Sequence, residues 1–65
     1  MKVCLLEVRN SLGLSQEQVA KLSGISTSTV NYIENGRISP KFAQIEALAK
    51  GLGVRISDIV QSDYY

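Results

Sequence analysis

Apolar residues recur along this chain at helical intervals, and glycine cuts the runs. Met1, Leu5, Val8 and Leu12 follow one another at steps of four, three and four, the spacing of one helix face, and Gly13 ends the run. Gly24, Gly36 and Gly53 close later runs in the same way, so the punctuation predicts five short helices. The second opens at Ser15, whose hydroxyl can accept from the Gln18 amide while the Gln18 side chain returns a bond to Ser15, a capping box. Leu14 before the cap and Val19 inside the helix form the matching hydrophobic staple, and Ala20 and Leu22 continue inward to Gly24. The third repeats the device, with Ile25 ahead of the cap Ser26, Val30 as staple partner, Ile33 one turn on, and Gly36 as the stop.

The fourth run places Pro40 at the first helical position with Ser39 as its cap, and carries its buried stripe on Phe42, Ile45, Leu48, Ala49 and Leu52 to Gly53. Gly51 inside it costs about 1 kcal/mol relative to alanine, a cost that close packing against a neighbour would justify. A last turn or two from Ile56 to about Gln61 brings Ile56, Ile59 and Val60 toward the core, and residues 61–65 form a short tail. No segment alternates long enough to read as a strand. The expected fold class is all-α, a single compact five-helix domain over residues 1–65.

Only Ser23, Gly24 and Ile25 separate the second helix from the cap of the third. Helices joined by so short a turn cross at a large angle, which needs a small residue where they meet and a glycine in the turn. Ala20 and Gly24 supply both. Val19, Ile25, Val30 and Ile33 then point inward, and Ser26, Thr27, Ser28, Asn31 and Tyr32 are left on the outer side of the third helix. Hydroxyl and amide groups crowd its N-terminal end.

Composition narrows the chemistry. The chain has 65 residues, 45% of them hydrophobic and 20% charged, a globular balance. A domain this small buries only about 60% of the surface its unfolded chain exposes, so added interface stabilises it and a dimer is expected. Seven Lys and Arg against six Asp and Glu leave a net charge of +1, so any polyanion must be held by local placement of charge. There is no histidine, and Cys4 is the single cysteine. This excludes an internal disulfide, Cys/His zinc sites and imidazole-based catalysis, so neither an enzyme nor a metal or other cofactor is expected. Lys2, Glu7 and Arg9 interrupt the apolar start, which therefore reads as neither signal peptide nor membrane span, and the expected location is cytoplasmic.

Taken in order, Arg9, the Leu12 to Gln16 stretch Leu-Gly-Leu-Ser-Gln, Val19-Ala20, Gly24-Ile25, the Val30 to Gly36 run Val-Asn-Tyr-Ile-Glu-Asn-Gly, Pro40, Leu48-Ala49 and Leu52-Gly53-Val54 resemble a known family. It is the helix-turn-helix domain of the Cro and lambda-type phage repressors, also called XRE-like, and the likeness runs from about Leu5 to Val60. The resemblance implies a lambda-repressor-like fold whose third helix enters the major groove of double-stranded DNA. It assigns base contacts to Thr27, Ser28 and Tyr32 with Asn31 as helper, and phosphate contacts to Gln16 and to the Asn35, Arg37 and Lys41 loop. Ser26 joins the phosphate set, because the amides and dipole at a helix start attract phosphate. It further implies an ion pair between Arg9 and Glu34 that ties the first helix to the end of the third.

This chain departs from the pattern in lacking Arg, Lys and Gln on the outer face of the third helix. Serine and threonine bond several bases about equally well, so discrimination per contact is low. Tyr32 has two open roles, base reader or an amphipathic ring lying along the helix at the core edge. A twofold dimer reading half-sites about 34 Å apart would multiply both affinity and discrimination. Its surface is placed first at Ile56, Val60, Tyr64 and Tyr65, since tyrosines suit half-wet interfaces, and alternatively on the outer side of the first helix with Val3 and Leu6. The expected function is a sequence-specific regulator of transcription, a repressor, with no small-molecule ligand expected, and the rival is a helical protein-interaction module or antitoxin-type partner binder on the same scaffold.

Overall fold

The structure is a computed structural model that describes residues 2–61, and of Lys2 the backbone alone. Its elements are β1 (Lys2–Val3), α1 (Leu5–Ser11), α2 (Gln16–Ser23), α3 (Thr27–Glu34), α4 (Phe42–Leu52), α5 (Ile56–Ile59) and β2 (Val60–Gln61). Five helices carry the fold among the described residues, with a helix-turn-helix at α2 and α3. No helix among them is long and apolar enough to cross a membrane.

Local chemistry sets most helix starts. The Ser15 hydroxyl accepts from the Gln18 backbone N–H at 3.1 Å, and the Gln18 side-chain oxygen accepts from the Ser15 N–H at 2.8 Å, the reciprocal box expected for α2. The Ser26 hydroxyl caps α3 by accepting from the Thr29 N–H at 3.1 Å. At α4 and α5 only the return half of the device is used. Gln44 accepts from the Lys41 N–H at 2.9 Å, and Asp58 accepts from the Arg55 N–H at 2.9 Å.

That use of Gln44 moves the start of α4. The sequence pattern predicts Ser39 at the cap and Pro40 at the first helical position, whereas Lys41 is the cap and Pro40 is buried in the loop before it. Phe42, expected in the buried stripe, is 65% exposed. Helical spacing gives a residue's angle around its axis, and among the described residues that angle is left open at the first turn of α4.

Two ends of the chain also differ from expectation. Val3 and Val60 pair antiparallel, as do Lys2 and Gln61, and the Cys4 N–H donates to the Ile59 carbonyl at 2.6 Å. The expected first helix therefore starts at Leu5, and the expected last helix stops at Ile59, where Val60 turns extended. A ladder of two residues per strand is too short to show alternation, and it exists only because distant segments meet. Leu12, placed on the buried face of the first helix, caps its C-terminus and is 44% exposed.

The core gathers Leu5, Val19, Ala20, Val30, Ile33, Leu48, Ala49 and Ile59, with Leu14, Ile25 and Val60 packed around it. Two glycines shape it for different reasons. Gly24 ends α2 with φ +74°, a left-handed conformation, and a side chain there would meet nothing within 4 Å. Gly51 is ordinary helix, but a Cβ on it would run into the Leu22 carbonyl and come within 3.0 Å of the Ser23 Cα. Its missing side chain lets α4 lie directly on the backbone of α2.

Candidate nucleic-acid interface

Helix α3 divides cleanly by burial. Val30 and Ile33 are in the core, while Thr27, Ser28 and Tyr32 are exposed and Asn31 is half-buried. The hydroxyls of Thr27 and Ser28 thus stand on the first turn of a helix whose opposite side is locked into the protein. Ser26 is exposed too, but its hydroxyl is occupied as a cap and lies 2.7 Å from the Thr29 hydroxyl. Thr29, half-buried, escaped the sequence reading, since only the cap geometry reveals its contact with Ser26.

Arg9 and Glu34 meet. Arg9 Nε lies 2.6 Å from Glu34 Oε2 and Arg9 Nη2 donates to Oε1 at 3.1 Å, a two-pronged pair whose side chains are 15% and 3% exposed. The third prong, Nη1, donates to the Leu14 carbonyl at 3.0 Å, so one guanidinium joins α1, the entry to α2 and the end of α3. The hydrogen bond to Glu34 raises the Arg9 pKa above its ordinary value, outweighing desolvation, with charge attraction adding to it. A raised folded value means that the contribution to stability is whole below the ordinary arginine range and is lost only as pH climbs through it.

Gln16 is half-buried beside this pair and donates to Glu34 Oε1 at 2.8 Å. Asn31 Nδ2 lies 3.4 Å from Gln16 Oε1, and Asn35 Nδ2 donates to Asn31 Oδ1 at 3.1 Å. Five of the residues singled out in the sequence therefore form one row, Asn35, Asn31, Gln16, Glu34 and Arg9, across α1, α2 and α3. Sequence spacing held no signal for the links through Gln16, because its partners are 15 and 18 positions away.

Past α3, Asn35, Arg37 and Lys41 are all exposed. The Arg37 guanidinium sits 6.0 Å from the centre of the Tyr32 ring, at the outer limit of a cation–π contact, and the ring is 42% exposed. Tyr32 is thus a surface side chain, partly covered, with a cation beside it. Of the residues considered for a dimer surface, Ile56 is 38% and Leu6 42% exposed. Val60 packs on the core and pairs with Val3, so Val3 belongs to β1 and not to the outer side of the first helix, and Tyr64 and Tyr65 lie outside the described residues. A shallow groove between α1 and α5 is lined by Cys4, Glu7, Val8, Ser11, Val54, Asp58 and Gln61. Its two carboxylates make it a poor seat for a polyanion.

A sequence profile of the helix-turn-helix family matches residues 5–59. The transcriptional regulator PuuR of Escherichia coli is 37% identical over 54 residues, 83% of this chain and 29% of that protein. An HTH-type transcriptional regulator of Methanothermobacter thermautotrophicus is 36% identical over 53 residues, 82% of this chain and 77% of its own length. The cryptic phage CTXphi transcriptional repressor RstR of Vibrio cholerae is 39% identical over 54 residues, 83% of this chain and 49% of the repressor. The chain thus spans under a third of PuuR and about half of RstR.

Proposed function

Because this chain belongs to the helix-turn-helix family of XRE-type transcriptional regulators, we propose that it binds double-stranded DNA sequence-specifically, with α3 in the major groove. Thr27, Ser28 and Tyr32 read base edges. Gln16, the start of α3 at Ser26, and the exposed Asn35, Arg37 and Lys41 hold the phosphates. The observation that carries this reading is the division of α3, with Val30 and Ile33 sealed in the core and Thr27 and Ser28 exposed on its first turn.

Arg9 and Glu34 act as a brace that fixes the angle of α3 against α1. The chain acts as a homodimer on a palindromic operator, since hydroxyl readers discriminate weakly and two half-sites multiply what one achieves. It represses, the sign carried in the name of the Vibrio cholerae relative. Exposed Ile56 and Leu6 mark the two candidate pairing surfaces.

Selection of bound sequences from random duplexes tests this reading. A palindromic motif with half-sites about one helical turn apart is the expected result. A dimer touching about eight phosphates gives a log-log salt slope near −7, within the range typical of specific binding. No enriched motif, with little affinity at any salt, overturns the proposal in favour of a protein-interaction module. Sedimentation as a monomer both free and on DNA overturns the dimer alone.

A further inference from the structure

We infer that Asn31, placed by its sequence position among the base readers, is a positioning residue that sets the orientation of Gln16 for its phosphate. The inference rests on the DNA-binding reading above and deepens it.

Glu34 fixes the direction of the whole row. Its carboxylate only accepts, it is 3% exposed, and its Oε1 receives both Arg9 and Gln16. Gln16 must therefore turn its nitrogen toward Glu34 and its oxygen away. That oxygen faces Asn31, which supplies the nitrogen, and the Asn31 oxygen is left to accept from Asn35 one helical turn later. Every amide donates in the same sense, toward the buried carboxylate, and each keeps one N–H uncommitted.

Two consequences follow. The nitrogen and the oxygen of the Asn31 side-chain amide are each engaged sideways, toward α2 and along α3, which leaves a single N–H for any other partner. Gln16, gripped at both ends, has its remaining N–H aimed in one direction, which spares the entropy of ordering that side chain on contact with DNA. The link at 3.4 Å from Asn31 to Gln16 is the longest in the row and the one on which this role depends.

The test pairs two measurements on the full chain. In the free protein, Asn31→Ala should shift the side-chain amide resonances of Gln16 in the nitrogen–proton spectrum. On the duplex selected above, Asn31→Ala should weaken binding about 3- to 10-fold, evenly across single base-pair variants, as loss of a phosphate contact does. The double variant Asn31→Ala with Gln16→Ala should bind no more weakly than Gln16→Ala alone, since residues in one network do not add. Additive losses, a changed base preference at one motif position, or unmoved Gln16 resonances each overturn the inference. If the unmodified chain selects no duplex, the DNA-binding reading fails and takes this role with it, whereas normal binding with additive losses removes the positioning role and leaves that reading standing.

Discussion

Helix α2 is held on two sides by opposite means. Toward α4 its backbone at Leu22 and Ser23 lies against Gly51, a contact of shape alone in which one added carbon has no room. Toward α1 and α3 it offers Gln16 to a row of amides and a carboxylate, a contact of directed hydrogen bonds. The apolar side sets where α2 sits and exposes no chemistry. The polar side leaves donors at the surface next to Thr27 and Ser28, so the links that brace α3 share their groups with the surface proposed to meet DNA. Any change to the second contact is therefore expected to alter both stability and binding, and any change to the first to alter stability alone.

The largest expected effect breaks the polar side. Arg9→Met leaves Glu34 buried with only Gln16 for a partner and should cost about 3 to 5 kcal/mol. Thermal unfolding would show this as a fall of at least about 12 °C for a domain of this size. Replacing both partners, Arg9→Met with Glu34→Leu, should recover much of that loss, because no charge is then stranded. A loss under about 1 kcal/mol from the single change would mean that the pair is solvated in solution.

Next comes the apolar side. Gly51→Ala adds a carbon that the Leu22 carbonyl already excludes, so denaturant titration should show a net loss of about 2 kcal/mol instead of the gain of up to about 1 kcal/mol that helix propensity alone gives. DNA affinity at a temperature where the variant is folded should stay within about twofold of the parent, which separates the two sides of α2.

A third prediction sharpens the contrast between the two glycines. Gly24→Ala should cost about 1 kcal/mol, from the left-handed backbone and not from any clash. Gly24→Asn should be milder than Gly24→Ala, since asparagine tolerates that conformation, while Gly51→Asn should be worse than Gly51→Ala. Equal ranking at both positions, read from chemical denaturation, would contradict the separate roles.

The smallest effect concerns the caps. Ser26→Ala should cost about 1 kcal/mol and fray the first turn of α3, where Thr27 and Ser28 stand. Gln44→Ala, removing only the return half of a cap at α4, should cost less than that. Hydrogen exchange of the Thr29 and Ile45 amides would report the two separately.

Much of this architecture was legible in the sequence because it is decided within a few residues. Ser15 with Gln18, the cap Ser26, and the glycines at 24 and 53 are local devices, and the helix ends they mark stand where the pattern put them. The inward positions Val19, Ala20, Val30 and Ile33 were equally plain, which leaves Thr27, Ser28 and Tyr32 outward almost by subtraction, whereas Leu22, expected to turn inward, is 52% exposed. The start of α4 was misread because Ser39 and Pro40 form a familiar start signal, while the residue that decides the matter, Gln44, acts from inside the helix.

What the chain alone determined, then, is the number and order of its helices and the side of each that turns inward, since hydrogen bonds and apolar spacing over three or four residues settle those. Tertiary structure decided which of the polar residues so exposed are free. It paired Val3 with Val60, left Phe42 uncovered, pressed Gly51 onto Leu22, and turned Gln16 and Asn31 toward each other beside Glu34. Those outcomes depend on groups far apart along the chain, and a buried carboxylate that can only accept imposes its direction on neighbours that no local pattern connects to it.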